Sequence, residues 1–320
     1  MKKIVFYFVL CCVISCNQTY ITIEYIALSP ILEIDQFSDS TFFSDIRFMF
    51  ADNDLLYISD YTRSQVMVLD NNGILASTVS SKGQGPGDLL GSSALFIRND
   101  TVYVFDEKRK ISVFYKEQYL RAFDVPDGLD GSTNFALYGN NVIMTNFNQP
   151  HSLAFVDMYT DSVVHFGQMF NFHSPIKNRI RNHRYVCMQD SFIYAISDNQ
   201  PVVERYDPQG NLVETYDYSK VEVVNRKLSY VQQKPDEEKS YYILVDDCYL
   251  QNEKLYLLLI TMKDDKVQAN TILEIDLSET MQAERLFYLG EDWFGSICCF
   301  SDCLWAFNIT KSTLIKYKLP

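Results

Sequence analysis

The sequence predicts an all-β fold, a six-bladed β-propeller of four-stranded antiparallel blades, on three observations. Six segments share one strand pattern: LLYISD (55–60), TVYVFD (101–106), NVIMTN (141–146), FIYAIS (192–197), KLYLLL (254–259) and CLWAFN (303–308). Their third position is aromatic in five cases (Tyr57, Tyr103, Tyr194, Tyr256 and Trp305), and Ile143 takes the slot in the other. Three residues further on stand Asp60, Asp106, Asn146, Ser197 and Asn308, with Leu259 the exception. Asp, Asn and Ser bond their own backbone where a chain turns. The units begin near residues 45, 93, 133, 183, 245 and 295, a spacing of roughly 40–60 residues that suits four-stranded blades.

Composition agrees. The chain has 320 residues, 47% of them hydrophobic, and a mean hydropathy of −0.11 that excludes a polytopic membrane protein. Its 22 Tyr and 22 Phe suit pleated, half-buried surfaces. The net charge of −13 becomes −15 once Lys2 and Lys3 are removed with a leader. Such a balance argues against nucleic acid as a partner, because phosphates need clustered cations.

The leader comes first in order. Residues 1–15 pair two lysines with an apolar run over 4–14, short of the roughly 20 residues that span a bilayer, and read as a signal peptide. Val13-Ile14-Ser15-Cys16 resembles the bacterial lipobox. That resemblance implies that Cys16 is diacylated, becomes the N-terminus and anchors the protein to a membrane. Lipoproteins of Bacteroidota bound for the cell surface carry an acidic run after this cysteine. Asn17, Gln18 and Thr19 are not acidic, which favours the periplasmic face of the outer membrane of a Gram-negative envelope.

Residues 16–320 then read as a single propeller domain. Its blades lie at about 45–80, 93–125, 133–169, 183–219, 245–290 and 295–318, the last one strand short. The segment YITIEYIAL (20–28) has no local partner and is expected to complete the last blade, closing the ring and hiding its edges. Within blades, Asn71-Asn72-Gly73 and Pro208-Gln209-Gly210 are turn signals between third and fourth strands.

Between the first two blades, Ser81-Lys82-Gly83-Gln84-Gly85-Pro86-Gly87-Asp88 resembles the G-x-G-P-G-[DE] signature of six-bladed propeller lipoproteins of Bacteroidota, the TolB-like family among them. Here Gly83, Gly85, Pro86, Gly87 and Asp88 carry the likeness, and the YISD and YVFD strands resemble NHL-type repeats. The likeness covers essentially the whole mature chain. It implies the fold and little about activity.

Antiparallel blades put second–third turns and blade-to-blade links on one face. The long segments 83–91, 170–183, 220–245 and 262–270 all fall in that set, which marks it as a candidate binding face. The third-to-fourth blade link carries a cationic stretch, His173, Lys177, Arg179, Arg181, His183 and Arg184. Arginine forks there suit a carboxylate or phosphate of a glycan, lipid head group or partner protein; the bland reading is a solvated loop with local counter-charges. Segment 220–240 is expected to hold a short helix near 224–232, and a lid, a partner-docking element and inert decoration fit it equally.

No G-x-S-x-G elbow, P-loop or C-x-x-C occurs, and the four histidines form no spaced pair. Cys187, Cys248, Cys298, Cys299 and Cys303 remain after the leader; the last three leave one disulfide open, and their CC-x₃-C spacing lacks the second pair that zinc requires. The first reading is therefore a non-catalytic binding or scaffolding propeller for a protein or glycan partner, with no cofactor. The alternative is a calcium-dependent lactonase or hydrolase of the gluconolactonase type, with Asp45, Asn134 and Asp247 as hard oxygen ligands at the channel mouth. Arg184 beside them, and the lack of a Glu in a corresponding place, weigh against it.

Overall fold

The computed structural model describes residues 21, 23–37, 41–148, 150–300 and 302–320. The leader and Cys16 lie outside them. The first strands among the described residues are β1 (Glu24–Ala27) and β2 (Pro30–Ile34). Blade one is β3 (Ile46–Asp52), β4 (Leu55–Asp60), β5 (Gln65–Asp70) and β6 (Leu75–Val79). Blade two is β7 (Leu95–Arg98), β8 (Thr101–Asp106), β9 (Lys110–Tyr115) and β10 (Gln118–Asp124). Blade three divides its inner strand into β11 (Leu129–Asp130) and β12 (Ala136–Tyr138), then adds β13 (Asn141–Asn146), β14 (Leu153–Asp157) and β15 (Val163–Phe166).

Helix α1 (Pro175–Ile180) links to blade four, which is β16 (Arg184–Gln189), β17 (Phe192–Ser197), β18 (Val202–Tyr206) and β19 (Leu212–Asp217). Helix α2 (Glu222–Gln232) is the short helix expected near 224–232. It leads to blade five, β20 (Val245–Gln251), β21 (Lys254–Lys263), β22 (Lys266–Asp276) and β23 (Gln282–Tyr288), and on to blade six, β24 (Phe294–Phe300), β25 (Cys303–Asn308) and β26 (Thr313–Lys318). The six blades form a ring, with the inner strands β24 and β3 in contact where it closes.

The repeated aromatic does the same job in the five blades that carry it, and Ile143 takes its place in blade three. Tyr57 packs with Leu95, Val102 and Val104 of the next blade, Tyr103 with Phe135 and Val142, and Tyr194 with Leu255 and Leu257. Tyr256 joins Trp305, which is fully buried. One large side chain per blade thus fills each interblade layer, where burying a ring is worth roughly 1.5–3 kcal/mol. The polar residue three places on caps the following turn. Asp60 accepts from Arg63 N at 3.0 Å and Ser44 N at 3.1 Å, Asn146 from Asn148 N at 2.9 Å, and Asn308 from Lys311 N at 3.0 Å.

One expectation is corrected. The strand that completes blade six is β2, antiparallel to β26 with Ile34 opposite Leu314, and not residues 20–28. Residues 24–27 instead add a fifth, parallel strand to blade five, Glu24 lying opposite Arg285. Pro30 opens β2, and proline is tolerated at the first residue of an edge strand, where its missing N–H leaves no ladder bond unmade. Leu32 and Ile34 pack against the core around Trp305. Blade one meets this strand at Gly73, whose φ is +78° and where an added Cβ would come within 2.0 Å of Ile34 Cδ1. Gly73→Ala is therefore expected to cost about 1–3 kcal/mol; an unchanged melting temperature would show that Ile34 does not seat there.

The G-x-G-P-G-D segment is a self-closed loop. Asp88 accepts from Ser81 Oγ at 2.8 Å and Gly85 N at 3.0 Å, while Leu89 N donates to Ser81 O at 2.9 Å. These hydrogen bonds, Ser81 foremost, hold the Asp88 carboxyl below the usual carboxylate range.

Candidate functional site

The inner strands begin around the propeller axis, and three of them carry a β-bulge at the same place. The register slips between Ile46 and Phe48, between Val245 and Asp247, and between Phe294 and Ser296. A bulge leaves one residue out of the ladder and re-aims its side chain. The extra residues are Arg47, Asp246 and Gly295, and all three line one cavity of about 490 Å³ at the channel mouth. Ser93, Ser132, Thr133 and Tyr185 also stand in its wall, so every blade contributes. This mouth lies on the face of the second–third turns and blade links, where α1, α2 and the extended β21–β22 hairpin also fall.

Charge in the mouth is partly neutralised. Arg47 makes a bidentate pair with Asp45, Nε to Oδ1 and Nη2 to Oδ2 both at 2.9 Å. Its guanidinium also lies 4.7 Å over the Tyr61 ring, and the Tyr61 hydroxyl donates to Glu107. Asp246 differs: no donor among the described residues reaches its carboxylate, and burial pushes it up to about 6. Below the rim, Thr133 Oγ1 lies 2.9 Å from His183 Nε2, and His183 sits between Asp130 at 3.7 Å and Asp198 at 3.6 Å.

The proposed calcium ligands do not converge as a set. Asp45 and Asp247 both line the mouth, but Asp45 is held by Arg47. Asn134 turns away to blade four, accepting from Val186 N at 2.6 Å and donating to Val186 O at 3.0 Å. Asp247 accepts from Ile297 N at 2.8 Å, Ser296 Oγ at 3.0 Å and Cys248 N at 2.8 Å. Tyr185, between them in the ring, donates to Val245 O at 3.4 Å. The register sets all three side chains to the same task, bonding the next blade's inner strand. Among the described residues no group of three His, Cys, Asp or Glu stands where it could hold a metal ion.

Burial pushes Asp247 up to about 7, against hydrogen bonds that lower it. A carboxyl raised in the folded state binds protons that the unfolded chain releases. Its stabilising contribution is complete below the unfolded value and is lost as pH rises through about 6 to 7. Unfolding free energy should therefore fall by on the order of 2–4 kcal/mol between about pH 5 and about pH 8. Asp247→Asn, which copies Asn134, should flatten that slope in urea titrations; an equal slope would assign the effect elsewhere.

Most of the cationic stretch is spent internally. Lys177 Nζ meets Asp236 Oδ2 at 2.7 Å, and Arg181 Nη2 meets Asp236 Oδ1 at 2.7 Å. Those two hydrogen bonds hold the Asp236 carboxyl down to about 2. Arg181 also donates to Ser240 O at 2.9 Å. Arg184 is fully buried, with Nε 3.2 Å from Glu204 and the guanidinium 4.4 Å over Phe170. Only His173 and Arg179 of the six stay exposed without an ion pair among the described residues. Asp236, which ties α1 to the loop after α2, was the counter-charge that sequence inspection did not connect.

No family model matches the chain, and no curated protein matches it. Solved structures do. The chain is similar to a protein assigned as exported from Bacteroides fragilis, at TM-score 0.61 and 14% identity over 92% of this chain and 99% of that one. It is similar to a member of the DUF4221 family from Bacteroides vulgatus, at TM-score 0.59 and 10% identity over 94% and 98%. A virginiamycin B lyase from Staphylococcus aureus aligns at TM-score 0.54 and 11% identity over 90% and 99%. At these identities the likeness is one of fold.

Proposed function

We propose that this chain is an exported, lipid-anchored propeller of the Gram-negative envelope that holds a protein or glycan partner at its channel mouth without catalysing a reaction on it. Cys16 carries the anchor, on the periplasmic face of the outer membrane. The leader, the lipobox resemblance and the fold shared with an exported Bacteroides protein support this placement. The observation that carries the binding reading is the bulge set, which turns Arg47, Asp246 and Gly295 into one cavity on the face that bears the insertions.

Asp246 defines the chemistry. A half-buried carboxylate without a donor is satisfied by a ligand that brings hydroxyl or ammonium groups, as sugars and basic peptide side chains do. Losing a charge-assisted hydrogen bond costs about 1.5–3 kcal/mol, so Asp246→Asn should weaken binding by about 10- to 100-fold. Binding should also fade as pH falls through about 6, where Asp246 protonates. Calorimetric titration of neutral oligosaccharides and a lysine-rich peptide checks both points. If neither class binds, or if Asp246→Asn binds as well as the parent, the reading fails. It calls for no cofactor, so added calcium should leave the melting temperature unchanged; a calcium-dependent rise lost in Asp45→Ala would favour the hydrolase instead.

A further inference from the structure

The inner strands of blades four and five run side by side beneath the mouth. Cys187 stands on β16 two residues past Tyr185, and Cys248 on β20 directly after Asp247. Their Sγ atoms are 3.7 Å apart, and both thiols are free. We propose that Cys187 and Cys248 form a redox-sensitive pair that closes into a disulfide, stapling blade four to blade five under the binding mouth. A disulfide needs the sulfurs at about 2.05 Å, an approach that side-chain rotation on two adjacent strands can supply.

The other cysteines are placed differently. Cys298 and Cys299 are neighbours on β24 and so point to opposite faces of it. Cys303 faces Phe300 across the hairpin and not a cysteine. Among the described residues, Cys187 and Cys248 are the pair whose sulfurs meet.

Exposure sets the order of events. Cys187 is partly exposed whereas Cys248 is buried, and burial pushes the Cys248 thiol well up. Cys187 therefore attacks a disulfide oxidant RSSR as the thiolate, forming a mixed disulfide and releasing one RSH. Cys248 then attacks Cys187 Sγ, giving up its proton and displacing the second RSH. Two protons and two electrons pass from the protein to the oxidant, which leaves as two thiols. The crosslink encloses residues 187–248, most of blade four together with α2, a long loop whose closure constrains the unfolded chain. It also fixes the strands that present Tyr185 and Asp246, so mouth geometry becomes linked to redox state.

The test treats the full chain with oxidised glutathione, alkylates it in denaturant and maps peptides by mass spectrometry. The expected result is a crosslinked peptide pair holding Cys187 and Cys248, with Cys298, Cys299 and Cys303 alkylated. The oxidised protein should melt several degrees higher than the reduced protein, a difference absent from Cys187→Ser. Alkylation of both Cys187 and Cys248 after oxidation, or a crosslink between any other pair, overturns the proposal. The mapping uses the unmutated chain, so a variant that fails to fold does not decide it. It is also independent of whether the mouth binds a ligand.

Discussion

Arg184→Ala is expected to lose about 3–5 kcal/mol of unfolding free energy, among the largest effects of any single substitution in this chain. The guanidinium is fully buried, 3.2 Å from Glu204 Oε2 and within reach of the His183 carbonyl at 3.2 Å. Truncation strands the Glu204 carboxylate, itself buried, without its cation. The loss should come from leaving one charge alone rather than from the net worth of the pair. Arg184→Met combined with Glu204→Gln removes both charges and should recover most of the stability. Urea unfolding of the two single variants and the double variant measures the coupling. A loss below about 1 kcal/mol in Arg184→Ala would mean that water reaches this pair.

Deleting the chain through Ile34 should be worse still. Four residues of β2 leave the β26 ladder, and Leu32 and Ile34 leave the core around Trp305. Leu32 and Ile34 are half-buried, so each counts near the low end of the about 2–5 kcal/mol that a buried aliphatic truncation costs, and with the ladder bonds lost the deletion is expected to cost about 5 kcal/mol. It also bares the edge of β26, TLIKYK, and an unpaired edge recruits other chains. Light scattering should show association that grows with concentration, and urea should show an early, broadened transition. A monomer unfolding at the parent's midpoint would show that blade six holds without its fourth strand.

The repeat was legible in the sequence because interblade packing and turn capping each demand one residue type at one place. Tyr57 through Trp305, and Asp60 through Asn308, announce both. The closing strand was missed by about ten residues, because YITIEYIAL carries the stronger strand pattern and Pro30 disguises its successor. The mouth was harder to read. Asp246 and Asp247 are neighbours of one type that both reach the mouth, and only the slip after Val245 leaves the first out of the ladder while the second bonds blade six. A bulge has no composition of its own. The cationic stretch left an anion site and local counter-charges both open, because Asp236, which pairs with Lys177 and Arg181, lies in a different insertion.

The stitching of residues 24–34 across blades five and six also governs when the molecule can mature. This early segment pairs with Arg285 and Tyr317, which are made late. Bringing such distant ends together costs only about 1.5 kcal/mol more than a contact ~50 residues away, since closure entropy grows with the logarithm of length. The burden is one of timing. A chain delivered N-terminus first keeps a gap in its ring until blade six arrives, so a polypeptide halted before β24 has blades but no circle.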